Sequence, residues 1–354
     1  MITIIKKLLP HRLKEFISKM NKMSNLAALT SFKSSHMLAS IWYFLFSKGF
    51  DREQQSVLAG KAAYYKGTSQ TGQSSVLLRR NIHRLEKGLI MQPRKSIFAD
   101  DFIGETVDVY VRYVKENAAH GGEKKWFTDV LIEYFSIVKG TDVILEARKK
   151  FQASVELTYA KEKFIPYVFD SLPQADVSYE QLHKLFVRRR SVRWYEEKDV
   201  EMEKVVQAVN LAALAPSACN RQPFSFYVSE SREKAVEIAG CAVGTPGWVD
   251  NIPCTIVIVG DLSAYPEERD RHLIYIDGSL AAMQLMLAFE TLGLATCSIN
   301  WPDIESAEKK MEKLLRLESY ERPIMLMSVG YGEGKGGIPY SQKKKSELLI
   351  KKVS

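Results

Sequence analysis

Two short stretches in the second half of the chain hold the residue types that can do chemistry. Ala215-Pro-Ser-Ala-Cys-Asn-Arg-Gln-Pro223 gathers Ser217, Asn220 and Gln222 between two prolines that restrict the backbone. Their hydroxyl and amide groups both donate and accept. That suits a planar, heteroatom-rich ligand hydrogen-bonded along its edge. A capped helix end followed by a turn would use the same residues. Upstream, Arg188-Arg-Arg-Ser-Val-Arg193 sets four arginines around Ser191. Such a run is usually a solvated face. Four guanidiniums cannot all be buried without anions, however, and their forked donors match a phosphate.

In this order, Arg-Arg-Ser-x-Arg and then Ala-Pro-Ser-x-x-Asn-x-Gln-Pro resemble the start of the nitroreductase family of flavin enzymes. The resemblance spans about residues 182–349. It implies FMN as cofactor, with Arg189, Ser191 and Arg193 against the phosphate and Arg190 as a neighbour that helical spacing can turn elsewhere. Asn220 and Gln222 would hold polar edges of the isoalloxazine. Pro216 and Ser217 would line the ring or the ribityl chain, from the partner subunit in one arrangement. Ile299, Asn300 and Trp301 match the segment that brings a backbone N–H to the flavin. A common form of that segment is richer in glycine, so Asn-Trp-Pro is a departure. A basic residue after the Gly330-Tyr331 strand end would complete the phosphate site. Lys343, Lys344 and Lys345 all qualify, with Lys343 and Lys345 preferred.

No acid–base dyad is required, because the cofactor carries the hydride chemistry. The activity implied is electron transfer from NADH or NADPH to a small organic acceptor, nitroaromatic- or quinone-like, by a ping-pong mechanism. Two alternatives stay open. One is another flavin reaction on the same fold: dehydrogenation, dehalogenation or flavin fragmentation. The other is a non-enzymatic scaffold whose basic N-terminal half binds a membrane surface or partner.

The elements that must position these residues are legible in part. An apolar-periodic helix over about 200–214 delivers the loop, and a helix over 179–190 delivers the arginines. Pro253-Cys-Thr-Ile-Val-Ile-Val-Gly260 is a β-branched run expected to be a strand buried on both faces. Residues 267–292 form a long helix, nearly all apolar or small in its middle, which must be buried all round. The resemblance makes it a homodimer interface. Gly332-Glu-Gly-Lys-Gly-Gly337 follows a strand but opens no clear helix, so the dinucleotide fingerprint fails.

The expected fold is α+β: a nitroreductase-like mixed β-sheet flanked by helices, preceded by an all-helical domain. The boundaries expected are 1–163 for the helical domain, 164–178 for a connector and 179–354 for the flavin domain. Within the first part, 53–65, 74–90, 104–116, 126–137 and 143–157 all carry helical periodicity. Arg80, His83, Arg84 and Lys87 share one helical face and either grip an anion or pair locally.

Composition bounds the rest. The net charge of +8 is uneven: residues 1–100 hold 17 Lys or Arg against 5 Asp or Glu, and the remainder holds 33 against 37. Met1 to Pro10 is a poor signal peptide. Met37 to Phe46 is too short to span a bilayer and is expected to be a buried helix. A basic amphipathic start could touch an anionic membrane surface. The four cysteines form no Cys-x-x-Cys pair and the six histidines are scattered. No metal is therefore expected, and a reducing, cytoplasmic setting is. Sparse aromatic interleaving in the basic segment argues against nucleic acid.

Overall fold

The computed structural model describes residues 30, 33, 35–47, 49–66, 70, 71, 74–116, 121–155 and 162–353. The basic stretch from Met1 to Pro10 lies outside the described residues. The chain divides into two compact units, Met1–Gln55 and Ser56–Ser354.

In the first unit, helix α1 spans His36–Phe46. The Ser35 hydroxyl caps it by accepting from the Leu38 N–H at 3.2 Å. The expectation that it is buried fails: Met37, Phe44 and Leu45 are 65%, 86% and 60% exposed. Apolarity creates a demand for burial, but it does not supply a surface to be buried against.

Helix α2 (Asp51–Tyr65) leads into the second unit. A two-residue hairpin, β1 (Gln70–Thr71) with β2 (Ser74–Ser75), precedes α3 (Val76–Leu89), α4 (Ile103–Glu116), α5 (Gly121–Ile137) and α6 (Asp142–Gln152). The last four share one core. Leu78, Ile82 and Leu85 recur at helical spacing on α3 and pack with Tyr110, Phe127, Leu131 and Tyr134. The short hairpin was not foreseen, because two-residue strands leave no alternation to read.

After residues 162–178, which hold only a 3-10 turn, come α7 (Tyr179–Arg188), α8 (Met202–Ala212), β3 (Phe224–Val228), α9 (Arg232–Ala239) and β4 (Cys254–Asp261). Next follow α10 (Leu273–Thr291), β5 (Ala295–Asn300), α11 (Glu305–Leu315), β6 (Glu321–Gly330) and α12 (Ser346–Leu349). The sheet order is β3-β4-β6-β5. All three pairings are antiparallel, with Val257 opposite both Tyr227 and Leu326. A parallel pairing enters through the isolated bridge Ser191–Thr296.

All eight residues of β4 are buried. Its side chains alternate between two cores: Val257 and Val259 meet α9 and Trp301, while Ile256 and Ile258 meet α8 and α10. An antiparallel strand can read as a continuous apolar run when helices cover both faces of its sheet. Helix α10 begins later than its composition suggests, after a 3-10 turn at Glu268–Asp270. It is also not buried all round. Ile276, Leu280 and Met283 form an exposed stripe on it, at 53%, 43% and 38%.

Candidate active site

Helix α7 stops at Arg189, whose N–H donates to the Leu185 carbonyl at 3.0 Å. The chain then leaves the helix extended and makes a single parallel bridge to the edge strand β5. There the Val192 N–H donates to the Thr296 carbonyl at 3.0 Å. Tyr195 anchors this segment. Its hydroxyl donates to the Val192 carbonyl at 2.8 Å and lies 2.7 Å from the Ser328 hydroxyl. Its N–H donates to Asn251 Oδ1 at 2.9 Å, and Asn251 Nδ2 donates to the Arg193 carbonyl. Burial pushes the Tyr195 phenol up, so it stays protonated and holds these bonds.

Two glycines let the tail lie alongside. A Cβ on Gly330 would sit 2.7 Å from the Tyr195 ring, and one on Gly336 would sit 2.8 Å from Trp194 Cβ. The Glu333 N–H donates to the Trp194 carbonyl at 2.9 Å. These contacts bring residues 338–343 against the arginines.

The result is a cavity of about 340 Å³ lined by Arg189, Arg190, Ser191, Arg193 and residues 338–343, ending at Lys343. Among the described residues no carboxylate lies within ion-pair distance of these three arginines or of Lys343, whereas Arg188 pairs with Glu290 at 2.7 Å. Arg190 is partly committed to the Phe186 and Arg189 carbonyls, at 3.3 and 3.0 Å. Arg193 donates to the Ser191 carbonyl at 3.4 Å and lies over the Trp248 ring. The cavity opens at the C-terminal end of α7, where the helix dipole repels an anion. Side-chain cations must therefore supply all of the attraction. Four of them around one hydroxyl, with no internal counter-charge, fit a phosphate monoester carrying about two negative charges.

Beneath them, burial pushes the Cys297 thiol up, and Arg193, Ser191 and Arg189 only partly counter it. Cys297 is thus a neutral core group and no nucleophile. No cluster of three or more metal-ligating side chains occurs among the described residues.

The other predicted residues lie outside this cavity. Ile299 and Trp301 are buried in the core between sheet and helices, and the Trp301 indole N–H donates to Glu308 Oε1. Only Asn300, exposed at the end of edge strand β5, is left to face solvent with its side chain. Lys345 precedes α12 at its N-cap and is exposed, as is Lys344.

The loop with Pro216, Ser217, Asn220 and Gln222 is held from several sides. The Ser217 hydroxyl accepts from the Gln222 N–H at 3.1 Å, Gln222 Nε2 donates to the Ala213 carbonyl at 2.7 Å, and the Ala218 N–H donates to Asp277 at 2.9 Å. Cys219, Asn220 and Gln222 sit at φ 53°, 50° and 50°. These left-handed conformations persist only where the surroundings over-determine them. The extra support comes from Arg79 on α3, a residue the sequence reading had not placed. Its Nε donates to the Asn220 carbonyl and its Nη2 to Gln222 Oε1, both at 2.8 Å, and its Nη1 pairs with Glu123. The guanidinium also lies 5.3 Å from the Trp126 ring centre. Nothing local in the sequence ties Arg79 to a loop so far down the chain.

Three residues of the neighbouring basic face are engaged within the helical block. Arg84 reaches Asp101 at 3.4 Å and stacks on Phe102, His83 lies 3.5 Å from Glu86, and Arg80 reaches the Tyr64 hydroxyl at 3.5 Å.

Comparison with known proteins agrees on the second half of the chain. The nitroreductase family model matches residues 187–245 and 241–331. A protein of Archaeoglobus fulgidus named "Putative NADH dehydrogenase/NAD(P)H nitroreductase" is 30% identical over 152 residues, covering 42% of this chain and 83% of its own. Human iodotyrosine deiodinase 1 is 21% identical over 216 residues, covering 52% of this chain and 74% of its own. Among solved structures, an FMN-dependent nitroreductase from Clostridium difficile is 26% identical and covers 44% of this chain and 91% of its own, with a TM-score of 0.39.

Proposed function

This chain belongs to the nitroreductase family, and on that premise we propose that it is an FMN-dependent oxidoreductase passing electrons from NADH or NADPH to a small organic acceptor. The observation that carries the reading is the cavity of Arg189, Arg190, Ser191, Arg193 and Lys343, with cations and no internal counter-charge. FMN, when bound, supplies the hydride chemistry.

The chain's own residues do the rest. Arg189, Arg193 and Lys343 neutralise the phosphate, and the Ser191 hydroxyl donates to it. The Tyr195–Asn251–Ser328 bonds keep this segment from shifting on β5. Asn220 presents its amide on a rigid loop, Gln222 spends its own amide on Arg79 and the Ala213 carbonyl to hold that loop, and Pro216 and Ser217 border it. That loop does not line the phosphate cavity of its own chain. In this proposal the protein is an isologous dimer, with each copy's loop serving the other's cofactor. The apolar stripe of Ile276, Leu280 and Met283 on α10 supports this, being flanked by exposed Leu182 and Phe186 on α7 and Leu211 on α8. A single cofactor site used in turn by nucleotide and acceptor implies ping-pong kinetics, for which parallel initial-rate lines are expected.

The test is the visible spectrum of the purified protein before and after anaerobic NADH or NADPH. Two flavin bands that bleach support the reading. A colourless protein that takes up no added FMN refutes it. A second flavin reaction, reductive removal of a substituent, is favoured by the likeness to iodotyrosine deiodinase 1. Flavin bands that bleach with dithionite but with neither nucleotide would select it.

A further inference from the structure

We propose that α1 is a lipid-docking helix that seats this protein on an anionic bilayer surface. Its sequence, His36-Met-Leu-Ala-Ser-Ile-Trp-Tyr-Phe-Leu-Phe46, contains no Asp, Glu, Lys or Arg. Met37, Ile41, Phe44 and Leu45 recur at helical spacing, so they share one face. All four are exposed, Phe44 by 86%. Tyr43 and Phe50 extend that apolar surface, their rings meeting edge to face at 4.5 Å. A monomeric soluble protein rarely leaves such a patch open without an occupant.

The dimensions and chemistry select the occupant. Eleven residues make about 16 Å of helix, against about 30 Å of bilayer hydrocarbon. The helix is therefore too short to cross and suits the headgroup–acyl boundary. Trp42 and Tyr43 are the residue types that settle at that depth.

Charge supplies the direction. Residues 1–50 hold 8 Lys or Arg against 1 acidic residue, a balance of +7, while the rest of the chain holds 42 against 41. Nearly the whole net charge of +8 thus accompanies this one apolar helix. An anionic leaflet attracts such a segment. The same segment of a second copy, carrying the same +7, is repelled from this helix. An apolar face joined to a basic segment is the pattern of peripheral membrane binding, where two weak signals act together.

The experiment is vesicle flotation of the full chain, with phosphatidylglycerol–phosphatidylcholine vesicles against pure phosphatidylcholine, at low and high salt. The expected result is co-flotation with the anionic vesicles, at least about tenfold weaker on neutral ones and weakened by salt. The double variant Phe44→Glu, Leu45→Glu should lose flotation while keeping its circular dichroism and its absorbance spectrum. Three outcomes would overturn the proposal: no flotation on anionic vesicles, equal binding to both kinds, or a double variant that floats like the parent. A fourth is a double variant that lowers the oligomeric state without lipid, which would make a second copy the occupant.

Discussion

Arg79 is the single side chain whose removal should show that the helical block holds the Ala215–Pro223 loop. The perturbation is Arg79→Met, which keeps most of the stem and deletes the guanidinium. Two hydrogen bonds from a charged donor are lost, to the Asn220 carbonyl and Gln222 Oε1 at 2.8 Å each. At about 1.5 kcal/mol apiece they amount to about 3 kcal/mol. The Glu123 carboxylate loses the guanidinium but still accepts from the Tyr113 hydroxyl at 3.3 Å, and its side chain is 26% exposed. It rehydrates in place, at a cost nearer 1 kcal/mol than the larger penalty of a fully buried ion. Offsetting this, burying Arg79 at 9% exposure costs desolvation that the methionine does not pay. The net expectation is about 2–3 kcal/mol. That is comparable to the strain of three non-glycine residues at positive φ, about 1 kcal/mol or more each. Loop order should therefore fail together with the bonds.

Urea unfolding measures the first quantity. Amide exchange at Ala218–Gln222 measures the second and should accelerate at least about tenfold. A double-mutant cycle with Glu123→Gln should give a coupling of about 1 kcal/mol. A loss below about 0.5 kcal/mol with unchanged exchange at the loop would refute the clamp.

Arg193→Gln or Lys343→Gln should weaken FMN binding about ten- to a hundredfold and leave riboflavin binding nearly unchanged, read by flavin fluorescence titration. Equal losses for both ligands would place the phosphate elsewhere. Gly330→Ala drives a methyl against Tyr195 and Pro253. It should destabilise by about 2 kcal/mol in urea and weaken FMN binding, and a neutral result would contradict the close packing. Leu280→Asp should turn a dimer into monomers by light scattering. Burial raises the Asp261 carboxyl from its ordinary 3.8 to about 6. For a group raised in the folded state, its contribution is fully present below 3.8 and is lost as pH rises through about 6. Asp261→Asn keeps an acceptor for the Ser263 N–H. It should stabilise by up to about 3 kcal/mol at pH 8 and by almost nothing near pH 3.5. A gain independent of pH would rule this cause out.

The sequence by itself determined most of the elements and the concentration of cations at one place in the chain. Helical spacing at Leu78, Ile82 and Leu85, the β-branched run of β4 and the arginine run each carry their signal within a few residues. Periodicity and side-chain charge are local properties, so one stretch suffices to read them. Family membership was legible for the same reason, through two motifs in fixed order. What only the tertiary structure decided is which side chains meet. Ser191 reaches Thr296, Lys343 rather than Lys345 joins the arginines, and Arg79 holds a loop 141 residues away. Trp301 faces the core and Met37, Phe44 and Leu45 face outward, although apolar composition alone treats them alike. A chain's composition sets how much apolar surface seeks cover. Which part finds it depends on where distant segments come to rest, and no local pattern encodes that.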